Sequence, residues 1–199
     1  MAQINVNDPR GFVPLRSLHG NVSFVTRQYP VSANNPTTIF PGDPVTLNAS
    51  GNVIRITTSA VSVNAPPVLG VVAAVLNSDR RPQTFTQPSR GPYLPASTAG
   101  FVDVYDDPDM TFLVNADSAA SQNDIGRFVR VTAGTPNTAA GISGFSLLMV
   151  QATGSSVGHR FRILALGPNE DRTFSANNDM EVMIADHEWR RAFKRVGVW

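Results

Sequence analysis

FVDVYDDPDMTFLV, residues 101–114, is the stretch whose reading decides the fold. Val102 and Val104 fall on one side of an extended chain, Asp103 and Tyr105 on the other. After Asp106-Asp107-Pro108-Asp109 the alternation resumes at Phe112 and Val114. A period of two on both sides of a polar break predicts strand, turn, strand. Pro108 has no ladder donor, and Asp side chains hydrogen-bond their own turn backbone. The acidic break is therefore expected at a hairpin tip or a strand corner, with its carboxylates at the surface.

The same pattern recurs on either side. Toward the C-terminus, IGRFVRVT (125–132), FSLLMVQ (145–151), HRFRILAL (159–166) and MEVMIA (180–185) read as strands. In the third of these, Phe161 and Ile163 face inward and Arg160 and Arg162 outward, the mark of a half-exposed strand. Between 115 and 123 the chain is polar and small, and Asp117 is a candidate cap for a short helical turn. Toward the N-terminus, 45–48 and 53–57 flank the turn at 48–52 as a hairpin. VLGVVAAVL (68–76) is apolar throughout, as expected of a strand buried on both faces; Gly70 and the valines favour strand over helix.

The expected organisation has three parts. Residues 1–38 read as an extended N-terminal arm with one short strand at 21–27, because Pro9, Pro14, Pro30 and Pro36 interrupt every other candidate. Residues 39–185 form a β-rich core domain carrying an insertion loop at 77–100. In 186–199, Asp186 caps a C-terminal helix and tail. The fold class is mainly β, a small β-barrel or β-sandwich with long loops.

Composition agrees. With 42% hydrophobic residues in 199, the chain can bury a real core, and 15 Gly and 15 Pro beside only 16% charged residues favour strands and loops over helices. A formal net charge of +1 lacks the basic excess of a dedicated nucleic-acid binder. The absence of cysteine excludes disulfides, thiolate zinc sites and cysteine nucleophiles. The first ten residues have no apolar leader core, and 68–76 is too short to cross a bilayer, so the expectation is a protein made in a cytoplasm and independent of membranes.

Chemistry is sparse. Asp103, Asp106, Asp107 and Asp109 could ligate a hard cation, but they lack the EF-hand spacing and its closing Glu. His19, His159 and His187 are not at metal-ligand spacing. No Gly-x-Ser-x-Gly elbow, phosphate-cradling glycine loop or flanking carboxylate pair is evident, and the expectation is a protein that is not an enzyme and uses no cofactor, metal or small-molecule substrate. Two groups are candidate partner-binding residues. Arg80, Arg81 and Arg90 lie beside Phe85 and Tyr93 in the insertion loop, which reads either as a contact surface or as a solvated loop. Trp189, Arg190, Arg191, Phe193 and Trp199 lie in the C-terminal segment, which either packs on the core or docks on a neighbour.

The order of signals resembles a known family. YLPASTAGFV (93–102) leads directly into Asp106-Asp107-Pro108-Asp109, with Gly42-Asp43-Pro44-Val45 and Leu69-Gly70-Val71-Val72 upstream and Ile184-Ala185-Asp186-His187 at the close. Together they are similar to virion structural proteins of tailed bacteriophages, of the head-decoration or capsid-cement type, over residues 40–187. The resemblance implies a β-barrel or β-sandwich that assembles on the capsid surface, often as a trimer, with the major capsid protein as partner and the virion as its location. The alternative weighed beside it is a β-sandwich host-recognition module that binds carbohydrate, with Tyr105, Asp106 and Asp107 as its platform.

Overall fold

The two strands read at 101–114 exist, and they do not pair with each other. The computed structural model describes residues 7–19, 24–56, 66–82, 92–155, 158–168 and 173–190. Its strands are β1 (Val13–Ser17), β2 (Arg27–Val31), β3 (Pro44–Leu47), β4 (Val53–Arg55), β5 (Gly70–Leu76), β6 (Gly100–Tyr105), β7 (Met110–Asn115), β8 (Phe128–Ala133), β9 (Phe145–Thr153), β10 (Phe161–Leu166) and β11 (Asp179–Ile184). They form a six-stranded sheet, β1-β7-β11-β10-β8-β9, and a five-stranded sheet, β2-β6-β5-β3-β4. Every ladder in both is antiparallel.

β6 belongs to the smaller sheet and β7 to the larger, so the acidic tetrapeptide is a corner between sheets rather than a hairpin tip. The cause is burial. Val102 and Val104 pack with Leu69, Val72 and Val75 in one core, whereas Phe112 and Val114 pack with Phe12, Phe145 and Phe161 in another. The inward faces of β6 and β7 are thus buried mainly in different cores, in keeping with their places in different sheets. The chain thus lays β1 in the larger sheet, builds the whole smaller sheet with β2 to β6, and returns through 106–109 to complete the larger one.

The structure is mainly β, and a sandwich-like arrangement of two antiparallel sheets fits it; neither sheet closes into a barrel. The larger sheet curls until its edge strand β9 meets the chain just beyond β7, where the Asp117 N–H donates to the Leu147 carbonyl at 3.0 Å. A single bridge, Ala116 with Leu147, replaces the ladder that closure would require. Asp117 is therefore not a helix cap, and its carboxylate accepts the Met149 N–H at 2.9 Å. The short 3-10 turn Gln122–Asp124 is capped instead by Ser121, whose N–H and hydroxyl both donate to Asp124.

The first 38 residues differ most from expectation. They supply β1, paired with β7, and β2, paired with β6, in place of an arm with one strand. Pro14 and Pro30 caused the misreading. Both lie in strands at sheet edges, where a missing N–H need not break the ladder. Phe12 and Val31 are both buried, so this segment is part of the cores. Residues 21–23 of the expected strand lie outside the described residues. The hairpin of β3 and β4 and the doubly buried β5 follow the sequence reading closely. A helical turn starts at 188, and the rest of the expected C-terminal helix lies outside the described residues.

Candidate interaction surface at the sheet-crossing corner

The corner has a buried inner half and a charged outer half. Asp106 is buried, contrary to the expectation that these carboxylates lie at the surface, and it accepts from the Tyr29 hydroxyl at 2.6 Å and from Arg27 Nη1 at 3.2 Å. This ties edge strand β2 to the end of β6. Burial, reinforced by the bond to Asp106, pushes the Tyr29 phenol up to about 12. Asp107 accepts the Asp109 N–H at 2.9 Å, the local turn bond expected of an Asp before Pro. Asp109 accepts from His19 Nε2 at 3.0 Å and from the Arg190 guanidinium.

Around the corner, large apolar side chains stand in solvent. Leu18 is held there by its N–H, which donates to the Asp109 carbonyl at 2.9 Å. Phe24 meets the half-buried ring of Tyr105 edge-on, with centroids 6.2 Å apart, and Val25 beside it is 61% exposed. Trp189 is exposed next to Arg190, and its backbone N–H donates to His187 Nδ1 at 3.2 Å. Behind it His187 is fully buried, and its Nε2 has no hydrogen-bond partner among the described residues. Burial, and then the nearby Arg190 charge, pull the His187 imidazole down to about 4 against the opposing pull of Asp106, Asp107 and Asp109.

A second polar centre lies between the sheets. Asp43, fully buried, accepts from Ser143 Oγ at 2.7 Å and from the Phe40 N–H at 2.9 Å, and pairs with Arg55 at 3.2 Å. The Arg55 guanidinium lies over the Phe145 ring, 4.7 Å from its centroid. Burial pushes the Asp43 carboxyl up to about 6, with Arg55 and the two hydrogen bonds opposing. This centre joins Asp43 just before β3 to Ser143 just before β9 and has no open face. It is structural.

The candidate residues from the sequence separate into two places. Arg80 stacks on Phe101 at the start of β6, 4.7 Å from the ring centroid, and the Arg81 N–H closes the turn on Asn77 Oδ1 at 2.9 Å. Tyr93 stacks on buried Phe40 with centroids 5.1 Å apart. Trp189 and Arg190 are at the corner, beyond the opposite end of β6. Phe85, Arg90, Arg191, Phe193 and Trp199 lie outside the described residues. Among the described residues, no three His, Asp or Glu side chains gather as a metal cluster. The corner carboxylates diverge instead, Asp106 toward β2 and Asp109 toward His19 and Arg190.

No family model, curated protein or solved structure matches this chain. The functional argument therefore rests on the surface. Sequence reasoning missed Leu18, Phe24, Val25 and Tyr29 as parts of it. Phe24 and Val25 carried a signal, two adjacent large apolar residues of which an alternating strand can bury only one. Tyr29 carried none, because its partner Asp106 is 77 positions away.

Proposed function

We propose that this chain is a non-enzymatic head-decoration, or cement, protein of a tailed bacteriophage, one that binds the outside of the assembled capsid and holds neighbouring major capsid subunits together. The observation that carries this reading is the corner surface, where Leu18, Phe24, Val25 and Trp189 are exposed beside arginines. Aromatic and arginine side chains are the usual anchors of protein interfaces. The mechanism is mass action, since a protein that binds only the assembled lattice stabilises it in proportion to site occupancy. Assembly as a trimer would present the same surface several times and strengthen attachment through effective concentration.

The carbohydrate-recognition alternative has less support. Its platform would need Tyr105 and Asp106 open to a sugar, whereas Tyr105 is half-buried against Phe24 and Asp106 is held by Tyr29 and Arg27. The test is co-sedimentation of the purified protein with mature and immature capsids that lack it. Saturable binding in a fixed ratio to the major capsid protein is the expected result. Failure to bind either shell would overturn the reading.

A further inference from the structure

Residues 186–190 are fastened just ahead of β5 by a short parallel bridge. The Val68 N–H donates to the Asp186 carbonyl at 2.9 Å, and the Glu188 N–H donates to the Val68 carbonyl at 2.8 Å. His187 lies between these two rungs, and both it and Val68 are fully buried. No ladder of either sheet includes a residue beyond Ile184, so both sheets can persist when the segment leaves.

The imidazole is tied to its own segment. Nδ1 accepts the Trp189 backbone N–H at 3.2 Å, so the neutral ring carries its proton on Nε2. Nε2 is buried and meets no acceptor. A second proton must go to Nδ1, where it would face the Trp189 N–H. The ring would then hold a charge and two donors, with no acceptor for either.

The charged groups nearby do not relieve this. Asp106 is engaged by Tyr29 and Arg27, Asp109 by His19 and the Arg190 guanidinium, and Asp107 by the Asp109 N–H. Asp186 and Glu188, the chain neighbours of His187, also leave Nε2 without a bond. Arg190 adds a positive charge on the same turn, and with burial it outweighs the pull of the three corner carboxylates.

We infer that residues 186–190 are an acid-opened latch: protonation of His187 detaches the segment from Val68 while the two sheets remain folded. In the open segment water solvates the imidazolium and the freed N–H groups. Opening also separates Arg190 from Asp109. The device is independent of what the corner binds. Because the closed form holds the ring at about 4 against an ordinary 6.5, the open form takes up the proton first. The ratio of open to closed therefore rises about twentyfold between pH 7 and pH 5.

Native-state hydrogen exchange of the full chain, read by amide NMR from pH 7 to pH 5 and corrected for the intrinsic pH dependence of exchange, tests the latch. Protection of the Val68 and Glu188 N–H groups is expected to fall about twentyfold, and to stay below that of Phe112 and Val182, which pair inside the larger sheet. His187→Leu should make the Val68 and Glu188 values independent of pH. His187→Gln, which keeps a polar side chain without the titration, should do the same and serves if the Leu variant does not fold. In the wild type, the ring nitrogen shifts at pH 7 should be those of the Nε2–H tautomer. Protection of Val68 and Glu188 equal to that of Phe112 and Val182 at every pH would mean that the segment leaves only by global unfolding, and would overturn the latch. So would protection that does not change with pH, a change that persists in both variants, or an Nδ1–H tautomer.

Discussion

The Tyr29 hydroxyl donates to the Asp106 carboxylate at 2.6 Å, which fastens the edge strand of the smaller sheet to the corner where the chain crosses to the larger one. Tyr29→Phe leaves buried Asp106 with Arg27 alone. The expected cost is about 1–2 kcal/mol, read as a lower urea midpoint at unchanged slope. An unchanged midpoint would mean that solvent replaces the hydroxyl.

The same phenol makes a prediction at high pH. Its native pKa, about 12, lies above its ordinary value of 10.0, so the folded protein keeps a proton that the unfolded chain releases. The stability from this group is complete below about pH 10 and is lost as pH rises through 12. Absorbance titration of wild type and Tyr29→Phe should differ by one late-ionising phenol.

Asp43 and His187 act oppositely in acid. Asp43, raised to about 6, holds a proton in the native state above its ordinary 3.8, so its contribution grows as pH falls through 6 and is complete near 4. His187, lowered to about 4, resists a proton that the unfolded chain accepts below 6.5, so its contribution fades as pH falls from 6.5 to 4. Wild type should show a shallow dependence across this window. Asp43→Asn should steepen the acid loss, and His187→Leu should become more stable on acidification. Thermal midpoints at pH 4 to 7 that move in the same direction in both variants would refute the pairing.

Arg55→Leu leaves the Asp43 carboxylate buried without its cation. The expected cost at pH 7 is about 3–5 kcal/mol, smaller at pH 5 where Asp43 is protonated. A loss that did not depend on pH would point to the packing of Arg55 on Phe145 as the larger effect.

Gly70→Ala places a Cβ 2.1 Å from the Tyr105 carbonyl oxygen and 2.7 Å from Val104 Cγ1. Backbone cannot yield as a flexible side chain can, so the cost is about 3 kcal/mol or more. Gly51→Ala, at a φ of +75° with no atom within 4 Å, should cost only the left-handed strain, about 1–2 kcal/mol. Thermal unfolding of the two variants compares close approach with backbone strain directly.

Much of the strand content was legible, because alternation is written locally. Phe161 and Ile163 announced their inward face, and both are buried. The interaction surface was legible only in part. Trp189 and Arg190 stood out as an aromatic beside cations, but nothing near Leu18 indicated that its N–H would reach Asp109, and nothing near Phe24 that its ring would meet Tyr105. Pro14 and Pro30 misled, because a proline argues against a strand only until the strand is known to lie at an edge.

By itself the sequence determined that the chain is β-rich, which side chains of its clearest alternating strands share a face, and that thiol chemistry is absent. Each is a property of composition or of a two-residue period, readable from neighbours alone. Only the tertiary structure decided that β6 and β7 part into different sheets, that β1 joins the larger sheet by pairing Val13 with Leu113, and that Asp106 and His187 are buried. Alternation specifies a face but not a partner. The partner is chosen by which distant apolar faces can be buried together, and a carboxylate or imidazole acquires its environment only once that choice has been made.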